Sequence, residues 1–362
     1  MSQQGLNVDD AELRSYNVEF AIFMMPSLLD ALRTSSIIDC DTFDYRVARD
    51  LGPFVDCTSN QAIAYFELSR TVSDGELLLH YDEFIKEAVQ EAKGKLNGLQ
   101  GGLSTKEFVV EILMVKLQLR VIPYVTGYVH IQTNPKLSYS AVGTVENAER
   151  IIAIFQKLAP ELDAKRVCIK IPATWEGLQA CRTLEAKGIA TLATTMFCME
   201  QAVLAADANC TYIAPYVNEL KVHFETYVDP NKAFDFCREA QAYYKKHSYR
   251  TVVLVASLAS VDDAMQLASV QHITIPPMLL QALQRCDSSS WDSRLGKYFA
   301  EGPDNEDLRL EKYENILRDE SAWRLAFTRS GFGANEGKIV QAINYFSDFQ
   351  EKVEDIVKRY TN

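Results

Sequence analysis

Residues 166–197 read RVCIKIPATWEGLQACRTLEAKGIATLATTMF. The first seven residues, Arg166 to Pro172, form a short β-rich run, and TWEGLQACRTLEAKG then carries a helical pattern. A second β-rich run, GIATLATTMF, comes directly after it. Both runs are continuously apolar rather than alternating, as strands covered on both faces should be. Strand, helix and strand in immediate succession imply a parallel pair joined by a right-handed crossover.

The same unit recurs outward in both directions. Upstream lie IIDCD (Ile37 to Asp41), FVDCTS (Phe54 to Ser59) and VIPYVTGYVHIQ (Val121 to Gln132). Downstream lie TYIAPYV (Thr211 to Val217), TVVLVAS (Thr251 to Ser257) and HITIPP (His272 to Pro277). TVENAERIIAIFQKLA and AFDFCREAQAYYKKH supply further helices, the first with Thr144 as its expected cap and Glu146 as its acid. About eight strands favour a closed barrel over an open sheet, and no Gly-x-Gly-x-x-Gly follows the first strand. The expected fold is α/β: a single (β/α)₈ TIM-barrel domain spanning 1–362, with its core at about 37–285. A helix over Asp9 to Arg33 precedes it. The extension at about 286–362 begins with a polar, lid-like stretch from Cys286 and ends in a long amphipathic helix, GKIVQAINYFSDFQEKVEDIVKRYTN.

Bulk properties narrow the function. With 48% hydrophobic and 24% charged residues, the chain has an ordinary globular composition. Its net charge of -12, without a basic tract, disfavours nucleic acid. The apolar runs are too short to span a bilayer, and the N-terminus lacks a signal-peptide pattern. Eight cysteines without Cys-x-x-Cys spacing, and histidines without a metal motif, predict a cytoplasmic protein with no metal and no cofactor.

In a parallel barrel, the C-terminal strand ends face the active site. Those ends carry Asp41, Asn60, Gln132, Lys170, Thr194, Tyr216 and Ser257, although polar residues also begin ordinary solvent-facing loops. Lys170 stands apart because it lies inside the apolar run Val167-Cys168-Ile169-Lys170-Ile171-Pro172. Burial favours the neutral amine, which can attack a carbonyl and form an imine. The ordinary alternative is snorkelling at a sheet edge, and a closed barrel has no edge.

These segments resemble the transaldolase family, from about Ile37 to the last helix. IKIPATWEG resembles the family's Schiff-base strand and implies Lys170 as the nucleophile. By the same resemblance, DTFD implies Asp41 as the general acid/base, and GIATLATTMF implies Thr194 as a holder of the catalytic water. FVDCTSNQ implies substrate binding by Asn60, with Thr58 beside it, and TVVLVAS adds Ser257. A homodimer is common among such proteins.

The departures bear on substrate. The family's Gly-Arg-Val-Ser-Thr-Glu-Val-Asp is here Gly127-Tyr-Val-His-Ile-Gln132-Thr-Asn134, so a water-activating acid becomes Gln132. Ile-Ser-Pro-Phe-Val-Gly-Arg becomes Ile213-Ala-Pro-Tyr216-Val-Asn-Glu219, and Ala-Ser-Phe-Arg becomes Ala256-Ser257-Leu258-Ala259. Two phosphate-binding arginines are thereby lost, each worth roughly 1.5–3 kcal/mol in charge-assisted bonds. The pair Gln132 and Tyr216 resembles the related fructose-6-phosphate aldolases, which release product to water. The resemblance therefore implies a class I aldolase or transaldolase-like enzyme acting on a small carbonyl compound that lacks phosphate. Two rival readings stay open. One is an ordinary pentose-phosphate transaldolase with phosphate held by Arg294 or Arg329. The other is a non-catalytic, metabolite-binding paralogue.

Overall fold

The computed structural model describes residues 26–70, 76–291 and 313–361. Its centre is a closed barrel of eight parallel strands in sequential order, with β8 returning to pair with β1. The strands are β1 (Ile37–Asp41), β2 (Cys57–Thr58), β3 (Val129–Gln132), β4 (Val167–Pro172), β5 (Ala190–Met196), β6 (Tyr212–Pro215), β7 (Val252–Val255) and β8 (His272–Ile275). The expected (β/α)₈ architecture is therefore observed, with shorter strands than the apolar runs suggest. The largest correction is at Val121–Tyr128, expected as part of the third strand. Val121 instead ends a helix, Thr105–Val121, and Ile122–Tyr124 form a 3₁₀ turn around Pro123. That helix buries Phe108, Ile112, Val115 and Leu117, and the apolar run is its continuation.

Helices α1 (Leu28–Arg33), α2 (Tyr45–Leu51) and α3 (Gln61–Leu68) accompany the first two strands. Of the helix expected over Asp9 to Arg33, Leu28–Arg33 is helical, and residues 9–25 lie outside the described residues. Between β3 and β4, the helix Ala141–Leu158 starts earlier than its sequence pattern suggests. Its cap is Ser140, whose Oγ accepts the Gly143 N–H at 3.1 Å, so Thr144 is interior.

The strand bearing Lys170 is anchored by the helix on its C-terminal side. Thr174 caps that helix, Trp175–Ala186, accepting the Gly177 N–H at 2.9 Å, an interaction worth about 1 kcal/mol. A Cβ on Gly177 would sit 2.0 Å from the Pro172 carbonyl oxygen, so only glycine lets the helix start this close to β4. Trp175 packs on Trp323 with ring centroids 5.6 Å apart, and Trp323 donates its indole N–H to the Glu200 carbonyl. The Lys-x-x-x-Thr-Trp-x-Gly pattern is thus a device for seating one strand.

The C-terminal helix, Ala334–Thr361, repeats apolar residues at helical spacing, Ile339, Ala342, Ile343, Phe346, Phe349, Val353 and Val357. It lays this stripe across α3 and the helix Thr105–Val121. Buried Glu354 on the same helix is paired with Lys106 at 2.7 Å. Much of the polar stretch expected as a lid, residues 292–312, lies outside the described residues. No helix among the described residues is long and apolar enough to cross a membrane.

Candidate active site

The upper barrel collects Asp41, Gln132, Lys170, Thr194 and Tyr216. Register places Lys170 between Gln132 on β3 and Leu192 on β5. Its side chain is 2% exposed, and Nζ donates to the Ser59 carbonyl at 3.3 Å. Among the described residues no carboxylate lies within ion-pair distance of this amine. Burial pushes its pKa below the ordinary lysine value, and the charge of Asp41 opposes that shift only in part.

Asp41 ends β1 and accepts the Thr58 hydroxyl proton at 2.6 Å. Thr58 has only that one proton to give, so at 2.6 Å it accepts from Thr274. This chain of hydroxyls fixes one carboxylate oxygen and leaves the other uncommitted. Thr58 is therefore seen here holding Asp41.

Gln132 is 2% exposed, and neither its amide oxygen nor its nitrogen has a partner among the described residues. A buried amide left this way costs about 1–3 kcal/mol per group, so both atoms are available to a bound molecule. Across the barrel, Thr194 donates to the Tyr216 hydroxyl at 3.4 Å. The β5–β6 register shifts between Ala193 and Met196, and Thr195 adopts φ 57°. That bulge re-aims the strand end where Thr194 sits. Burial raises the Tyr216 pKa well above the ordinary phenol value, so it stays a hydrogen-bonding phenol and not a base.

Asn60 and Ser257 sit beside this group with partners of their own. The Asn60 Oδ1 caps α3, accepting the Ile63 N–H at 3.0 Å, which leaves its amide N–H groups for a ligand. Ser257 holds φ 63°, a strained value for a non-glycine residue. It donates to the Asn218 carbonyl at 2.9 Å and receives His223 Nε2–H at 2.9 Å.

His223 joins the site without any motif in the sequence to mark it. It ends the 3₁₀ turn Leu220–His223 and lines a groove of about 710 Å³ against the C-terminal helix. Although the residue is exposed at the surface, desolvation by neighbouring protein lowers its pKa, outweighing the carboxylates of Asp41 and Asp263. Phe66, Phe224, Val340, Tyr345 and Phe349 supply the groove's apolar wall. Lys352 in this lining lies 4.2 Å over the Phe349 ring, and Asp348 is also in the lining.

Glu219 and Ala259 stand where the resemblance implies phosphate-binding arginines, and the groove, which is lined by none of Asp41, Gln132, Lys170, Thr194 and Tyr216, does not include them. The Glu219 carboxylate is engaged by the Tyr227 hydroxyl, while Ala259 is exposed and donates its backbone N–H to Asp263 at 2.9 Å. Lys232 is paired with buried Asp263 at 2.6 Å. Arg294 lies outside the described residues.

Residues 35–328 match the family model described as Transaldolase/Fructose-6-phosphate aldolase. The chain belongs to this family. Transaldolase-family relatives agree in name and extent. A "Probable transaldolase" of Dictyostelium discoideum is 27% identical over 349 residues, 92% of this chain and 99% of that one. A "Probable transaldolase" of Drosophila melanogaster is likewise 27% identical and covers 92% of this chain and 96% of its own. "Transaldolase A" of Pasteurella multocida (strain Pm70) is 30% identical over 72% of this chain and 80% of its own length. This transaldolase-family barrel is thus an enzyme of the transferase/aldolase class.

Proposed function

We propose that this enzyme makes or breaks a carbon–carbon bond of a carbonyl substrate lacking phosphate, through an imine on Lys170. The observation that carries this reading is the buried amine of Lys170, without an ion-pair partner among the described residues and with a lowered pKa, set in the same barrel mouth as Asp41. The neutral Nζ attacks the carbonyl carbon, and loss of water gives the protonated imine. The imine draws the electrons of the adjacent carbon–carbon bond as Asp41 takes the proton of the aldol hydroxyl. An aldehyde leaves, and the enamine is protonated or captured by a second carbonyl. Gln132, Thr194 and Tyr216 hold the water that hydrolyses the final imine. Asn60 and Ser257 contact the substrate. Seven of the eight free cysteines are buried and the eighth is half-buried, which suits a reducing cytoplasm.

Borohydride reduction with a panel of ketones, with peptide mass spectrometry as the readout, tests the chemistry. A stable adduct on Lys170 is expected, and its mass names the donor fragment. A protein that gives no adduct with any ketone of the panel would return the non-catalytic reading to first place.

The absence of phosphate from the substrate rests on Glu219 and Ala259, which stand where the resemblance implies phosphate-binding arginines. The native enzyme should therefore show a higher kcat/KM for dihydroxyacetone or fructose than for fructose 6-phosphate. His223 is bonded to Ser257, a proposed substrate contact, so His223→Arg is the informative substitution. One charge-assisted contact of roughly 1.5–3 kcal/mol should shift relative kcat/KM toward the phosphorylated donor by about 10–10². Efficient native turnover of fructose 6-phosphate would instead favour the ordinary transaldolase reading, with another cation holding the phosphate.

A further inference from the structure

The hydroxyl that holds Asp41 is itself held by a second one. Thr274 lies on β8 two residues beyond His272, whose Nδ1 meets Asp39 at 2.8 Å inside the barrel, and so faces the same interior. Thr58 on β2 meets it there, with the two hydroxyl oxygens 2.6 Å apart, and Asp41 Oδ1 lies 2.6 Å beyond Thr58. Both threonines are buried. The three residues come from β1, β2 and β8, neighbouring strands at the seam where the barrel closes.

The order of the protons follows from counting them. An ionised carboxylate only accepts, so Thr58 gives its one proton to Asp41 and takes that of Thr274. Among the described residues the Thr274 hydroxyl has no hydrogen-bond partner besides Thr58. Reversing the chain requires Asp41 protonated on Oδ1, Thr58 turned toward Thr274, and the Thr274 proton turned into packed protein with nothing to accept it. Buried donors are seldom left that way. The chain therefore runs in one direction, from Thr274 to the carboxylate.

We infer that Thr274 is a positioning residue for the aldol step, acting through Thr58 to keep Asp41 Oδ1 unprotonated and to reserve Oδ2 for the substrate. The inference rests on the reading of Asp41 as the acid/base beside the Lys170 imine. In that step the aldol hydroxyl gives its proton to Oδ2, and the electrons of the breaking carbon–carbon bond pass into the imine. The protons of Thr58 and Thr274 stay on their own oxygens throughout. Threonine suits both positions, because its branched side chain is stiff at χ1 and keeps the hydroxyl aimed. Without the Thr274 hydroxyl, the Thr58 oxygen loses its donor, and the bond to Asp41 loses the polarisation that a chain supplies.

The test compares Thr274→Val, which keeps the branched shape and removes the hydroxyl, with Thr274→Ser, which keeps the hydroxyl. In the full chain, Thr274→Val should form the Lys170 adduct with dihydroxyacetone and borohydride in native yield. Its single-turnover cleavage of fructose should slow by about 3–10-fold, the scale of one neutral hydrogen bond. Thr274→Ser should restore the rate. Native cleavage by Thr274→Val overturns the inference, as does a parallel loss of adduct and cleavage that Thr274→Ser fails to rescue. Neutron diffraction from deuterium-exchanged native crystals reads the chain directly and needs no variant to fold. Deuterium on Thr274 directed at Thr58, and on Thr58 directed at Asp41, supports the inference, whereas the opposite order overturns it. Absence of any Lys170 adduct in the native protein would count against the imine itself, a failure that the neutron maps keep separate from this one.

Discussion

Lys170→Met should abolish borohydride-trappable adduct and lower turnover by at least about 10⁴-fold, the scale on which loss of a covalent nucleophile is felt. The substitution nearly conserves volume in a fully apolar strand, so the barrel should stay folded. A stability measurement separates this from damage to the fold. In the native protein, burial lowers the Lys170 pKa from its ordinary value of 10.5. The fold therefore disfavours the charged amine, and that penalty is full below the lowered pKa. It fades as pH rises toward the unfolded-chain value, because across this window the unfolded state binds the extra proton. Lys170→Met should thus be more stable than the native protein at low pH, with the difference narrowing as pH rises toward the ordinary lysine value. Thermal melts of both proteins across that range check the sign. Full turnover by the variant would remove Lys170 from the chemistry.

Asp41→Asn should preserve imine formation while slowing bond cleavage or formation by about 10²–10⁴, the usual contribution of a positioned acid/base. Asparagine keeps an oxygen to accept from Thr58, whose hydroxyl holds this position at 2.6 Å, so placement should survive. The readout is a split: adduct yield under borohydride unchanged, single-turnover cleavage depressed. Equal loss of both would assign Asp41 to holding the site together.

Most of the barrel is legible in sequence because parallel strands covered on both faces appear as unbroken apolar runs. The same property hides the end of the helix Thr105–Val121, whose apolar residues flow into Ile122 and Tyr124 without a change of character. Lys170 is legible because a lysine inside such a run conflicts with its surroundings. Gln132 and Tyr216 can be placed at strand ends, but the orphaned amide and the Thr194–Tyr216 contact depend on packing. His223 lies beyond reach, since its bond to Ser257 is set by a 3₁₀ turn folding back over β7.

That closure has a kinetic side. The seam between β1 and β8 joins Asp39 to His272 across 233 positions of chain. Every other neighbouring pair of strands can form as soon as one crossover connection is made. The seam must wait until the ends of nearly the whole sheet meet, and the loop entropy of that meeting is lost before its contacts form. Until then β1 and β8 are open edges, ready to pair with other chains. Refolding yield should therefore fall with protein concentration more steeply than the stability of the finished ring suggests, and the Asp39–His272 hydrogen bond is the natural place to watch the ring shut.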